Sequence, residues 1–358
     1  MKKTRVLIVE DSPTVRLVLE SIVTADPRLA LAGSVRSAEQ MLDVLEETDP
    51  DVISLDIRLP GMSGLDATLE VMRRRPTPIV VVAADVNAED GRLAMNALRA
   101  GALSVMEKPV GLGHAAYATV ASRLCEQLVL MSKVKVVRQI AWPGRPAVRT
   151  DLPPPAGPAE PLARPDGFAV LAVVASTGGP AALVQLLTGL GSDFPLPVLA
   201  VQHIGPGFVA GFADWLRSQT PFAVRIAADG EEPRPGTVHL PPPDCHLLLK
   251  GGRLELSGAD PVAGQRPSGT EMLRSVAAAA GRQGIGAVLT GMGSDGAEGL
   301  RELSRAGGYT IAEDAATAVV YGMPAAAVDL GAVKALLPLP AIAPHILTLL
   351  ARTGRTGA

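Results

Sequence analysis

Residues 6–13 read VLIVEDSP: four apolar positions, then two carboxylates, then a Ser-Pro pair of the kind that opens a helix. A strand that stops at Glu10 and Asp11 and passes at once into a helix over residues 13–25 is the first half of a β-α unit. The same alternation continues through short apolar runs at residues 51–55, 79–82 and 104–106, separated by helical patterns. Val120, Leu124, Leu128 and Met131 then recur at helical spacing and predict a closing helix. Strands and helices in strict alternation predict an α/β fold, a doubly wound parallel sheet with helices on both faces.

In an open parallel sheet, ligands bind beyond the carboxyl ends of the strands. Glu10 and Asp11 follow the first strand, Asp56 ends the central one and Lys108 follows the last, so the topology gathers three carboxylates and an ammonium at one edge. Oxygen ligands with open positions suit Mg²⁺, which keeps waters and takes one or two carboxylates plus phosphate oxygens. An Asp beside such a cation is a nucleophile toward phosphorus, and a neighbouring Lys neutralises the added oxygens.

Together with SLDIRLPGMSGLD at residues 54–66 and MEKP at 106–109, the opening stretch resembles the receiver domain of two-component response regulators over residues 4–122. The resemblance implies a five-stranded doubly wound domain. It also implies Asp56 as phosphoacceptor, Glu10, Asp11 and Asp56 as Mg²⁺ ligands, Lys108 as the receiver lysine, and a chemotaxis-type histidine kinase as phosphodonor. Two positions depart from that family. PIVVVAAD offers Ala83 and Ala84 where receivers carry a Ser or Thr hydroxyl, and Val105 stands where they carry Tyr or Phe. Phosphorylation is therefore expected to couple weakly to output, because a phosphate shifts a domain only through interactions that differ between its two states.

Beyond this unit, residues 143–165 hold eight prolines, which deny the segment a regular hydrogen-bond ladder and predict a semi-stiff linker within residues 123–163. The whole chain has 358 residues, 47% hydrophobic and 19% charged, with a net charge of −3. That content excludes disorder throughout, and the near-neutral balance gives no support to nonspecific nucleic-acid binding. Cys125 and Cys245 form neither a disulfide framework nor a metal-ligand spacing. No run of about 18 apolar residues predicts a membrane span, and the apolar run after Lys2, Lys3 and Arg5 is too short for an export signal, so a cytoplasmic protein is expected.

After the linker the strand grammar returns at residues 168–174, 198–201, 287–290 and 309–311. FAVLAVVASTGGP, from residue 168, sets Ser176 directly after a strand and before a Gly-Gly-Pro helix start, which exposes a hydroxyl beside free helix N–H groups. VLAVQHIGPGF, from residue 198, sets His203 at the end of another strand, and AVLTGMGSDGAEGL, from residue 287, sets Asp295 in a Gly-rich loop after a third. A nucleophile, a base and an orienting acid are thus expected at one sheet edge. The order Ser, His, Asp and the absence of a G-x-S-x-G elbow argue against an α/β-hydrolase.

With RPSGTEMLRSVA from residue 266 and AEDAATAVVYGMPAAAVDLG from residue 312, these segments resemble the catalytic domain of the chemotaxis protein-glutamate methylesterases over residues 164–356. The resemblance implies Ser176 as nucleophile, His203 as general base and acid, and Asp295 as the group that orients His203. It further implies the Met292 backbone N–H in the oxyanion hole and Thr177 as support for the Ser–His geometry. Methyl-accepting receptors would be the substrate, glutamine deamidation a second activity, and relief of a receiver block by phosphorylation the control. The esterase reaction itself would need no cofactor, and neither nucleic acid nor membrane insertion is expected.

Other residues carry plainer readings. His239 and His246 lie in strand-like runs as structural histidines, His114 near the start of the last receiver helix, and His345 in a C-terminal helix without a nameable partner. Cys245 beside His246 has no second Cys for a zinc site. Arg73, Arg74 and Arg75 read as a solvated helix end. Arg266, Pro267 and Ser268 lie in a segment that belongs to the same resemblance and are expected to border the substrate groove, with no mechanism evident in the sequence. An alternative of another class is a receiver-bearing scaffold with a degenerate phospho-switch, which the intact Ser176, His203 and Asp295 oppose. A DNA-binding regulator would need a helix-turn-helix and a basic face after residue 140, and neither is present.

Overall fold

The computed structural model describes residues 2–83, 88–109, 117–134, 136 and 167–353. They fall into two compact units, each built on its own parallel sheet. Ala84, His114 and the proline-rich stretch 143–165 lie outside the described residues.

The first unit runs β1 (Thr4–Val9), α1 (Pro13–Ala25), β2 (Leu29–Val35), α2 (Ala38–Thr48), β3 (Val52–Asp56), α3 (Gly64–Arg74), β4 (Ile79–Ala83), α4 (Ala88–Arg99), β5 (Ser104–Glu107) and α5 (Tyr117–Met131). Its strands pair in parallel in the order β2-β1-β3-β4-β5. β3 and β4 are buried at every position, as strands covered by helices on both faces must be. Ser12, Ser37 and Ser63 cap α1, α2 and α3, each accepting a backbone N–H of the first turn. The chain steps from β1 outward to β2 and then back across to β3, so the order reverses between β1 and β3. That switch point is where a doubly wound sheet opens a crevice.

The second unit contains β6 (Val170–Ala175), α6 (Gly179–Leu190), β7 (Val198–Gln202), α7 (Val209–Gln219), β8 (Ala223–Ile226), β9 (Thr237–Leu240), β10 (His246–Lys250), β11 (Arg253–Ser257) and α8 (Gly269–Ala280). It continues with β12 (Gly284–Val288), α9 (Ala297–Arg305), β13 (Tyr309–Glu313), α10 (Met323–Asp329), β14 (Ala335–Leu337) and α11 (Leu339–Thr353). Seven strands form one parallel sheet in the order β14-β13-β12-β6-β7-β9-β8, while β10 and β11 make a separate antiparallel hairpin. From β6 the chain builds toward β8 and then returns to β12 on the other side. The switch point therefore falls at β6, between β7 and β12.

Several elements lie beyond the runs expected from the sequence. β2, β8 and β14 flank or edge the sheets and carry few fully buried positions. The strand expected at residues 287–290 begins earlier, as β12, and leaves Leu289 and Thr290 in the loop that leads to Asp295.

Candidate active site

The first cluster lies at the β1/β3 switch point. Glu10 and Asp11 follow β1 and Asp56 is the last residue of β3, and one oxygen from each of the three falls within 4.8 Å of the others. Lys108, just past β5, reaches Glu10 Oε2 and Asp56 Oδ2 at 2.8 Å each. Its backbone N–H donates to the Ala83 carbonyl at 2.9 Å. Burial, then the mutual repulsion of the carboxylates, pushes Glu10 up from the usual carboxylate range; burial does the same to Asp56, and Lys108 opposes both shifts. Three hard oxygen donors that repel one another are a fitting donor set for a divalent cation of the Mg²⁺ type. Ala83, where receivers place a hydroxyl, is wholly buried at the end of β4, and Val105 is half-buried in β5.

The second cluster is assembled by neighbouring strand ends. Ala175 and Gln202 are paired at the ends of β6 and β7, so Ser176 and His203 are the next residues out on adjacent strands. The His203 N–H donates to the Ala175 carbonyl at 3.0 Å. Gln202 Nε2 donates to the carbonyls of Ser176 and His203, at 2.8 and 3.0 Å, and so clamps both segments. On the other side the Ser176 N–H donates to the Thr290 carbonyl at 3.0 Å, tying the Ser176 turn to the loop after β12. Gly178 caps α6 with φ +79, and a Cβ there would meet Val319 Cβ at 2.7 Å. That turn requires glycine on both counts.

Asp295 is held from two directions. Its Oδ2 lies 2.8 Å from His203 Nε2 and accepts the Gly269 N–H at 2.6 Å; Oδ1 accepts the Ser268 hydroxyl at 2.7 Å and the Thr270 N–H at 3.0 Å. Ser268 is the N-cap of α8, so the buried carboxylate sits on a helix N-terminus, where the dipole favours negative charge. Burial alone would push the Asp295 carboxyl up. The bond from the His203 ring and its charge, with Ser268 and Thr270, outweigh burial and hold the carboxyl well below its usual range. A carboxylate only accepts, so His203 Nε2 carries the ring proton and Nδ1 is left as the basic nitrogen.

The structure thus joins His203 to Asp295 through side chains and to Ser176 through backbone and Gln202; among the described residues, the Ser176 hydroxyl is not hydrogen-bonded to the ring. Met292 lies half-buried in the loop after β12, and its N–H forms no hydrogen bond among the described residues. Thr177 is buried and its carbonyl accepts the Thr290 hydroxyl at 2.8 Å. Thr290 in turn donates its N–H to the buried Glu313 carboxylate at 2.8 Å.

Sequence reading missed Gln202, Thr290 and Glu313, and named Ser268 without a role. Gln202 had one local signal, a polar residue buried at a strand end directly before His203. The others act across 23 residues or more and have none. His345, expected without a nameable partner, is paired with Tyr309, whose hydroxyl lies 2.8 Å from Nε2. Arg73 and Arg74 end α3 paired with Glu70, and Arg75 pairs with Asp49.

Comparison with known proteins follows the same division of the chain. Residues 171–346 match the family described as CheB methylesterase, and residues 6–116 match the response regulator receiver domain. A protein-glutamate methylesterase/protein-glutamine glutaminase 2 of Paramagnetospirillum magneticum is 55% identical over 345 residues, which cover 96% of this chain and 97% of that protein. A protein-glutamate methylesterase/protein-glutamine glutaminase 4 of Myxococcus xanthus is 45% identical over 343 residues, 96% of each chain. Among solved structures, the catalytic domain of Thermotoga maritima CheB methylesterase is 36% identical with a TM-score of 0.49, covering 51% of this chain and 98% of that one.

Proposed function

The chain belongs to the CheB methylesterase family, with its receiver domain attached, and from that premise we propose that Ser176, His203 and Asp295 carry its esterase reaction. It is a protein-glutamate methylesterase and protein-glutamine glutaminase of chemotaxis adaptation, acting on chemoreceptors. The observation that carries the residue assignment is the 2.8 Å bond between His203 Nε2, at the end of β7, and Asp295 Oδ2, in the loop after β12, the two strands that flank the one leading to Ser176.

In this reading the Ser176 hydroxyl attacks the γ-carbonyl carbon of a receptor glutamate methyl ester, and His203 Nδ1 takes its proton. The Met292 N–H and the N-terminal turn of α6 face the oxyanion that forms, where fixed donors lower the barrier most. Collapse breaks the ester C–O bond, and His203 returns the proton to the departing methoxide, which leaves as methanol. Water then attacks the acyl-enzyme, again deprotonated by His203, and frees the glutamate carboxylate and the Ser176 hydroxyl. On a glutamine the same attack releases ammonia. Asp295 holds the proton-bearing edge of the ring throughout and stabilises the imidazolium without taking its proton. Thr177 supports the Ser176 turn through its backbone.

In the receiver, Asp56 is the proposed phosphoacceptor: its carboxylate oxygen bonds to phosphorus as the P–N bond of a kinase phosphohistidine breaks. Glu10, Asp11 and Asp56 would hold Mg²⁺ there, which when bound supplies charge neutralisation for the transferring phosphoryl group. Lys108 pairs with the added phosphoryl oxygens. Methanol release from a methylated chemoreceptor by wild type, Ser176→Ala and Asp56→Asn, with and without a phosphodonor, tests both halves.

A further inference from the structure

Ser268 and His246 form a chain of hydrogen bonds that ends on Asp295. Ser268 is wholly buried, His246 is 1% exposed and Asp295 3%. A serine hydroxyl has one proton, and that of Ser268 faces Asp295 Oδ1 at 2.7 Å while its oxygen accepts the Glu271 N–H at 3.3 Å. The hydroxyl thus serves as helix cap and as carboxylate donor at once. Its backbone N–H donates to His246 Nδ1 at 3.1 Å. Nδ1 is therefore the acceptor, the ring proton sits on Nε2, and Nε2 donates to the Asp260 carbonyl at 3.2 Å. His246, the first residue of β10, is fixed by this pair of bonds and in turn fixes the residue before α8. The other two donors to Asp295, the N–H groups of Gly269 and Thr270, belong to that same first turn. Thr270 Oγ1 also accepts the Gly296 N–H at 2.8 Å, which clasps the loop carrying Asp295.

We propose that Ser268 and His246 are positioning residues of the esterase: His246 sets the first turn of α8, and Ser268 with that turn holds the Asp295 carboxylate in the orientation that addresses His203 Nε2. The proposal rests on the reading of Ser176, His203 and Asp295 as the reacting set. Neither residue touches substrate. Their effect passes through the angle and the basicity of the carboxylate, and a small misplacement of a catalytic group is costly.

The test uses the full-length chain and methanol release from a methylated chemoreceptor. Ser268→Gly keeps an acceptable N-cap, which costs little relative to serine, yet removes the donor. Its kcat falls by about tenfold to a hundredfold, the range for a hydrogen bond to a charged group, with KM changed by less than about threefold. Ser268→Thr, which restores the hydroxyl, restores kcat. His246→Asn places an acceptor where Nδ1 stood and stays within about threefold of wild type. His246→Gln reaches the Asp260 carbonyl but leaves the Ser268 N–H unpaired, and loses about tenfold in kcat. Unchanged kcat in Ser268→Gly, or equal rates in the two His246 variants, overturn the proposal. If His246→Gln does not fold, the Ser268 arm alone decides. Turnover retained by Ser176→Ala would overturn the underlying assignment instead, and Ser176→Ala is measured in parallel for that reason.

Discussion

His203 presents Nε2, not Nδ1, to the carboxylate of Asp295, at 2.8 Å. The proton of the neutral ring is thereby fixed on Nε2, and the nitrogen left to act as base is Nδ1. Asp295→Asn tests this. The amide can turn an N–H toward Nε2, which selects the wrong tautomer, or toward the Ser268 and α8 donors, which repels them. Loss of the correct tautomer costs about 10⁴ in kcat in the serine protease triad, and a drop of about 10³ to 10⁴ in methanol release is expected here. A fall of less than about tenfold would detach Asp295 from the reaction.

Gly291 permits the close approach of the loop after β12 to the nucleophile. A Cβ at this position would lie 2.8 Å from Ser176 Cβ and 2.3 Å from Met323 Sδ. Gly291→Ala must move Ser176, Met323 or the loop. A displacement of about 1 Å at a reacting group costs about a hundredfold, so kcat drops by that order in a chain that still folds, as checked by circular dichroism. Wild-type turnover in this variant would mean that the spacing of Ser176 from the loop does not matter.

These readings divide by how local their cause is. Glu10, Asp56, Lys108, Ser176 and His203 were legible because a parallel sheet delivers strand-end residues to one edge whatever the helices do. β2, with Ala30, Ala32, Gly33 and Ser34, was not, since an edge strand of small residues lacks the β-branched pattern of a buried one. β8 and β14 are shorter still. The contacts that give Ser268 and His246 their roles escaped for another reason. Each makes sense only against a partner brought close by folding, Asp295 for one and Ser268 for the other, and a motif shows spacing along the chain rather than across it.

His239 offers a stability signature. Wholly buried in β9, it accepts the Arg234 N–H on Nε2, and burial holds its pKa down at about 4. The unfolded ring, with its ordinary value near 6.5, binds a proton that the folded one refuses between these limits. Stability therefore rises with pH from about 4 to about 6.5 and this contribution is flat above, amounting to at most about 3 kcal/mol. Thermal midpoints of wild type and His239→Leu at pH 5 and pH 7.5 check the sign: wild type loses more on acidification than the variant. Equal losses would mean that His239 takes up its proton in the folded chain.

Ala83 predicts a muted response to phosphorylation. A hydroxyl bound to a phosphoryl oxygen is worth about 1.5 to 3 kcal/mol, as hydrogen bonds to charged groups are, and the buried Ala83 at the end of β4 has none to offer. A phosphodonor should raise methanol release by less than about tenfold in wild type and not at all in Asp56→Asn, while Ala83→Thr increases the response. Strong stimulation of wild type that disappears in Asp56→Asn would show a route from Asp56 to output that needs neither a hydroxyl at 83 nor a ring at 105.

Methanol release by Ser176→Ala from a methylated chemoreceptor, compared with wild type at equal protein concentration, bears most directly on the central assignment. With Ser176 as nucleophile, no acyl-enzyme forms and release falls to the level of the chain-free control. Turnover within about tenfold of wild type would contradict it, whatever the geometry of His203 and Asp295 beside it.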